Sequence, residues 1–351
     1  MNPVRLGVIG CGVIGRRHVE AGVQSPLIDV VAVADLREEV GREVAGQFGV
    51  GRVYADGEDL LKDPEVEAVV LALPARWRTD LALHAFARGK HALIEKPVAM
   101  NAGEVRRLIA ARGALTAGCC SSRFRSFESA RVVTEFLATG ALGALRTVRC
   151  RAISGAGGPP RTPPPEWRLK KALNGGGIMS NWGCYDLDYL LGITGWSLMP
   201  RTVLARTWAV PSPFESYVAP GSDAETHVSA LILCEGGAAI VYERGEFVSA
   251  GTENAWEIIG EKGALHLNML PGQAKRIVHD EGASGKGVVS RTIWEGQEEW
   301  GVVHTGPSQD FAGAIREGRP PRTSLEQALV VQQITDAIYA SAERGAAVEI
   351  A

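Results

Sequence analysis

Little in this sequence points toward a metal, a membrane or a nucleic acid. Its six cysteines (Cys11, Cys119, Cys120, Cys150, Cys184 and Cys234) form no C-x-x-C pair and no Cys/His cluster with zinc spacing. That excludes the patterns from which a disulfide framework or a metal site is read. They are expected to be reduced, mostly buried thiols, and the adjacency of Cys119 and Cys120 is not by itself a sign of redox chemistry. Neither sign of charge is in surplus, because 40 acidic residues face 37 basic ones, spread along the chain, for a formal net charge of -3. No broad electropositive surface follows, so nucleic acid is not an expected partner. Long apolar runs are also missing. The opening apolar stretch is only a few residues long and already contains Gly7 and Gly10, far short of a secretory or membrane-spanning segment. A cytoplasmic protein with no membrane partner is expected.

What the chain does have is enough apolar material, 46% of 351 residues, to fill two cores of ordinary size. Over residues 1–120 short apolar runs alternate with helical patterns. Val4 to Ile9, Val30 to Ala34, Ala68 to Ala72, Ala92 to Ile94 and Leu115 to Gly118 read as buried strands, with crossover helices such as Leu81 to Ala87 and Ala102 to Ala111. Alternating strands and helices predict a parallel, doubly wound sheet with right-handed connections. Over residues 121–351 the texture changes. Runs at Leu145 to Ile153, Thr202 to Ala209, Thr226 to Cys234, Ala238 to Glu243, Ala255 to Ile259 and Ala264 to Asn268 alternate as a mostly antiparallel sheet does. Ser154 to Glu166 reads as a Gly/Pro-rich loop, an amphipathic helix is expected from near Gly177, and a helical pattern at 325–344 closes the chain. That last helix is expected to pack back on the first domain.

The segment Gly10-Cys11-Gly12-Val13-Ile14-Gly15 is a G-x-G-x-x-G that directly follows a strand and opens a helix. Gly10 permits the tight turn, Gly12 lets backbone N–H groups approach a pyrophosphate, and Gly15 allows close helix-to-strand packing at the positive end of the helix dipole. Val13 and Ile14 belong to the first turn that would face the phosphates. Asp35 ends the second apolar run, twenty residues after Gly15, where a carboxylate accepts hydrogen bonds from both adenosine ribose hydroxyls and repels a 2'-phosphate. Arg37 can stack on adenine or accommodate a 2'-phosphate. NAD is the expected cofactor, with NADP second.

Ile94-Glu95-Lys96-Pro97, at the end of a later strand, completes a pattern that resembles the Gfo/Idh/MocA oxidoreductases. The resemblance runs nearly end to end: the glycine loop, Gly89-Lys90-His91 leading into Glu95-Lys96-Pro97, the Gly175-Gly176-Gly177 helix start and the closing Tyr339-Ala340-Ser341-Ala342. It implies a Rossmann domain followed by an open-faced, mostly antiparallel sheet, with a carbohydrate-like substrate bound over the nicotinamide. It also implies assembly as a homodimer or homotetramer, in keeping with the apolar alternation of a sheet face that lacks sequence-evident helical cover. By the same resemblance Lys96 corresponds to the family's active-site lysine, Glu95 to a residue beside the cofactor, and Leu73-Pro74 to part of the cofactor site. Trp167 and Arg168 stand where many relatives place an aromatic-cation pair reaching toward cofactor or substrate, although Trp167 can equally serve as a loop anchor. Arg123 is a candidate substrate ligand, and it can equally be an ordinary solvated charge.

The chain departs from the family where an Asp-x-Gly-x-His segment is normal, for it reads Asn181-Trp182-Gly183-Cys184-Tyr185. Asn181, Tyr185 and Asp188 still fall at i, i+4 and i+7 and so are expected on one helix face as substrate contacts. Asn181 can hold a hydroxyl through its amide. Tyr185 can act as acid or base if the Lys96 ammonium lowers its pKa from roughly 10. After Leu73-Pro74, Ala75 and Arg78 replace the family's Asn and His, so contacts around the nicotinamide ribose are expected to differ. The expected activity is hydride transfer between NAD and a hydroxyl carbon of a sugar, sugar derivative or cyclitol. Lys96 would supply the electrophile in place of a metal. Two rival readings are a redox-assisted glycoside-cleaving enzyme that holds NAD tightly and a dinucleotide-binding protein without turnover.

Overall fold

The computed structural model describes residues 2–162, 164–269 and 273–351. The chain divides into two units, Met1–Ser126 with Trp300–Gln332, and Phe127–Glu299 with Gln333–Ala351. The first unit thus includes a late segment of the chain, Trp300–Gln332.

The first unit runs β1 (Val4–Ile9), α1 (Val13–Val23), β2 (Ile28–Ala34), α2 (Glu38–Phe48), β3 (Arg52–Tyr54), α3 (Gly57–Lys62), β4 (Ala68–Leu71), α4 (Arg78–Ala87), β5 (His91–Ile94), α5 (Ala102–Arg112) and β6 (Ala117–Cys119). Its six strands are all parallel in the order β3-β2-β1-β4-β5-β6. The strands read as unbroken apolar runs because both faces are covered. Leu6, Val8, Val33, Val70 and Leu93 fill one core, while Ile9, Ala34, Leu71 and Ile94 fill the other. The order reverses between β1 and β4, and open sheets of this kind bind ligands at that switch, outside the carboxyl ends of the strands.

The second unit contains α6 (Glu128–Ala138), β7 (Leu145–Gly155), α7 (Lys171–Asn174), a π-helical turn at Met179–Gly183 continuing into α8 (Cys184–Ile193), β8 (Pro200–Trp208), β9 (His227–Cys234), β10 (Ala239–Val248), β11 (Glu253–Gly260), β12 (Gly263–Asn268), β13 (Lys275–Ala283) and β14 (Gly287–Gly296). With the closing β15 (Val348–Glu349) they build a nine-stranded sheet, β14-β13-β12-β11-β7-β10-β9-β8-β15. Pairing is antiparallel except between β7 and β10. One face is core: Ile232, Ile240, Tyr242 and Ile258 are buried, and Tyr189 of α8 meets Trp256 of β11 edge-on at 5.2 Å. The helix expected near Gly177 to be amphipathic is instead a core helix, with nine of the ten residues of α8 buried, as an element covered on all sides must be. The π-helical turn also breaks the assumption of one continuous α-helix behind the spacing of Asn181, Tyr185 and Asp188.

After β14 the chain returns. Helix α9 (Val302–Glu317) adds Phe311 and Ala312 to one core of the first unit, and Leu325 and Ala328 of α10 (Leu325–Arg344) join the other. Further along α10, Ser341 accepts the Ala205 N–H within the second unit. Of the Gly/Pro-rich loop expected at Ser154 to Glu166, Ser154 and Gly155 instead end β7 and Glu166 opens a 3-10 turn, while Pro163 lies outside the described residues. Among the described residues no helix is long and apolar enough to cross a membrane.

Candidate functional site

At the carboxyl end of β1 the glycine loop is fixed by close approach. Gly10 has φ +93°, and a Cβ there would lie 2.5 Å from the Ala72 carbonyl oxygen, while one on Gly15 would lie 1.7 Å from that of Gly10. A Cβ on Gly12 would meet nothing within 4 Å, so the loop is tight where it packs and open where a phosphate would enter. Helix α1 starts at once, with no side-chain cap and no acidic residue in its first turn. Its N-terminal N–H groups are thus available to an anion.

Asp35 secures this loop. One carboxylate oxygen accepts the Cys11 N–H at 2.8 Å, the other the Arg37 N–H at 2.9 Å, and Arg37 Nε lies 3.6 Å from it. Burial, then the Asp35 charge, pushes the Cys11 thiol up to about 12, so it stays protonated. Gly10, Asp35, Arg37, Leu73 and Pro74 all line one cleft of about 570 Å³. The sequence reading missed Trp77, which lines the same cleft and is half exposed. Its only signal was a large apolar side chain three residues past Pro74. Val13, 88% exposed, stands at the lip of the loop.

The second cluster lies at the end of β5. Ile9, Leu71 and Ile94 are in register across β1, β4 and β5. With neighbouring strands about 4.8 Å apart, Glu95 begins roughly 10 Å along the sheet edge from Gly10. Glu95 is buried, and His18 Nε2 of α1 lies 2.8 Å from its Oε1, Arg123 pairs with the same oxygen, and the Lys96 N–H donates to Oε2 at 3.0 Å. His18 Nδ1 reaches Ser308 of α9 at 2.9 Å. Burial alone would raise the Glu95 pKa. The charges of Arg123, His18 and Lys96, with the His18 hydrogen bond, outweigh it and hold the carboxyl well below its usual range. Arg123, expected among the substrate ligands, thus has its guanidinium on Glu95. The Cys120 thiol lies 3.9 Å from His18 Nε2, but with a guanidinium on the carboxylate and the thiol held protonated by burial, this group suits a hydrogen-bonded network better than a cation. Lys96 is half-buried beyond it. Arg78 is buried and donates to the carbonyls of Leu73 and Glu95, at 2.5 and 2.8 Å, and to that of Pro97, joining the ends of β4 and β5 through backbone oxygens.

In the second unit Asn181 sits in the π-helical turn, with Tyr185 and Asp188 following in α8, and all three are buried. The Tyr185 ring meets Trp182 edge-on at 5.7 Å. Between Tyr185 and Asp188 lies a residue the sequence reading passed over. Asp186, fully buried, accepts two hydrogen bonds from Arg244 at 2.8 Å each and one from Tyr242 at 2.9 Å. Burial, partly offset by Arg244, raises its pKa. Arg244 in turn lies 5.2 Å above the Trp182 ring. A second carboxylate, two residues before Asp188 inside an apolar helical run, was the available signal. Arg168, expected at cofactor or substrate, pairs with Glu246 of β10, and Trp167 beside it is 37% exposed.

Two family models match the chain, one described as the oxidoreductase family with NAD-binding Rossmann fold over residues 4–116, the other as the GFO/IDH/MocA C-terminal domain over residues 130–266. The chain belongs to the Gfo/Idh/MocA oxidoreductase family. An uncharacterised oxidoreductase of Rhizobium meliloti is 29% identical, with 98% of each chain covered. The myo-inositol 2-dehydrogenase of Thermotoga maritima is 25% identical, covering 92% of this chain and 91% of its own. Levoglucosan dehydrogenase, solved with NADH and levoglucosan, superposes with a TM-score of 0.87 at 22% identity, covering 99% of both chains.

As a Gfo/Idh/MocA member the chain is an NAD(P)-dependent dehydrogenase or reductase with NAD as its cofactor. The residues present fit that group. The open position at Gly12 and the uncapped start of α1 suit the pyrophosphate, and Asp35 suits the adenosine ribose.

Proposed function

We propose that this chain transfers a hydride between NAD and a secondary hydroxyl or ketone carbon of a sugar, sugar derivative or cyclitol. The observation that carries the reading is the carboxyl edge of the first sheet. There Lys96 follows a carboxylate whose two oxygens are both engaged, two strands from the phosphate loop. Gly12 and Asp35 would hold the pyrophosphate and adenosine ribose of the dinucleotide, and Glu95 at the end of β5 would stand beside its nicotinamide end. When bound, NAD supplies the hydride acceptor at nicotinamide C4. Lys96 stabilises negative charge developing on the substrate oxygen, the larger contribution expected of a fixed cation in a dry site. Tyr185 takes the hydroxyl proton, or Lys96 does so when neutral, and Asn181 orients a neighbouring hydroxyl, while Asp188 is wholly enclosed in α8. The inositol and levoglucosan dehydrogenases among the relatives support a polyhydroxylated substrate.

The test is a panel of free sugars, cyclitols and sugar nucleotides offered with NAD at mildly alkaline pH, read as NADH absorbance. Net NADH from a free sugar or cyclitol supports the reading. Glycosidic cleavage without net NADH would move the chain to redox-assisted hydrolysis, and NAD binding with no turnover on any member would leave a dinucleotide-binding protein.

We also infer a homodimer or homotetramer. Leu204, Leu231 and Val241 stand in register on neighbouring strands β8, β9 and β10 and are exposed, as is Leu233. An apolar stripe of this kind is usually covered in solution.

A further inference from the structure

A helix begins with four backbone N–H groups that no carbonyl of its own can reach. In the helix that carries Asn181 and Tyr185, all four are taken by two residues distant in sequence. Glu225, buried just before β9, accepts the Gly177 N–H on one carboxylate oxygen at 2.9 Å and the Met179 N–H on the other at 3.0 Å. Its backbone carbonyl accepts the Ile178 N–H at 2.9 Å. The Ser180 N–H donates at 3.2 Å to the hydroxyl of Tyr339 in α10, which itself donates to Glu225 at 2.8 Å. Only at Asn181 does bonding within the helix begin, to the Gly177 carbonyl at 2.9 Å. The fit leaves no room for side chains, since a Cβ on Gly176 would lie 1.9 Å from the Tyr339 hydroxyl and one on Gly177 1.8 Å from the Glu225 carbonyl oxygen.

This start contrasts with that of α1, which no side chain caps. Here the positive helix end already holds a carboxylate. The same segment contains the π-helical turn Met179–Gly183, a wide register uncommon in isolation and frequent at functional sites. Slipping by one residue would turn each following side chain by about 100° around the helix axis. External bonds to successive N–H groups just before and at the start of the turn oppose that slip.

We propose that Glu225, held by Tyr339, is a positioning residue for hydride transfer, fixing the register in which the helix presents Asn181 and Tyr185. This rests on the roles given to those two residues above. The test compares Glu225→Ala, Glu225→Gln and Tyr339→Phe with the unmodified chain and with Lys96→Met. The readouts are kcat, KM, the pH profile of kcat/KM, NAD affinity by calorimetry and hydrogen exchange of the 177–185 amides.

Glu225→Ala should lower kcat about 10-fold or more through misplacement alone. It should also change the pH profile and leave NAD affinity unchanged, because the cofactor loop belongs to the other unit. Glu225→Gln, which keeps one acceptor oxygen, should recover part of the rate. Tyr339→Phe should lose rate with faster exchange at Ser180. Normal kcat and pH profile in folded Glu225→Ala and Tyr339→Phe, with Lys96→Met inactive, would overturn the proposal while sparing the reaction. Should Glu225→Ala not fold, the other two variants decide by the same criteria. Should the unmodified chain transfer no hydride at all, the reaction reading falls separately. Exchange then decides the latch, with faster exchange confined to 177–181 supporting it and unchanged exchange refuting it.

Discussion

Changing Glu95 to Gln removes a charge while keeping nearly the same shape, at a point where three partners converge. The side chain is 2% exposed and that of Arg123 only 10%, so the neutral amide would take the Glu95 charge away from a buried guanidinium. Breaking a buried pair from one side costs about 3–5 kcal/mol. The amide oxygen of Gln still accepts one hydrogen bond, which places the expectation near the low end, about 3 kcal/mol. For 351 residues unfolding together, that lowers the midpoint of thermal unfolding by roughly 4 °C. Acidification gives an independent check. Because the folded-state pKa lies well below the ordinary 4.5, the unfolded chain takes up the proton first. The stabilisation is therefore whole above about 4.5 and fades as pH falls through the lower, folded value. Glu95→Gln should flatten that acid limb. Urea unfolding of Glu95→Gln, Arg123→Met and the double variant measures the coupling directly. The double variant should recover about 2 kcal/mol or more of the sum of the single losses. A Glu95→Gln loss below about 0.5 kcal/mol, or strictly additive losses, would refute the account of the network.

Asp35→Ala should narrow the preference for NAD over NADP, and it should also weaken both by freeing the Cys11 N–H from its acceptor; calorimetry showing equal affinities in the unmodified protein would sink this. Lys96→Met should cost about 3 kcal/mol or more in transition-state binding, read as kcat/KM, with little change in NAD affinity. Tyr185→Phe should lower turnover roughly 10²-fold or more, and near-normal turnover with an unshifted pH profile would hand the proton to Lys96 or water. Asn181→Asp should change substrate affinity or preference more than the limiting ionisation, the reverse pattern meaning that Asn181 does not orient substrate. Light scattering should report a dimer or tetramer at micromolar concentration, and Leu231→Glu should dissociate it; a monomer in the unmodified protein would leave the exposed stripe of β8 to β10 unexplained.

The parts of this molecule that were legible in its sequence are those whose chemistry is local. Strands buried on both faces must be apolar throughout, so β1, β4 and β5 could be marked from their residues alone, and the run that became α10 was located to its ends. Strands β13 and β14 were not, because Lys275-Arg276-Ile277-Val278-His279-Asp280 alternates poorly and β14 is exposed along most of its length. Helix α9 went unread for a related reason: Pro307 and scattered small residues blur its period. The candidate site divides along the same line. The glycine loop and Asp35 are a spacing, and a spacing can be read. Arg78 and Arg123 look like solvated charges until the fold shows their partners to be three backbone carbonyls and a buried carboxylate. The triple glycine stands between these cases. Its position as a helix start was readable, but its cause lay in Glu225, 48 residues beyond Gly177, and Tyr339, 159 beyond Ser180. Nothing in the local sequence says what a glycine is making room for. A residue type can report that something approaches closely, and only the tertiary structure reports that here it is a carboxylate and a phenol closing the start of the helix.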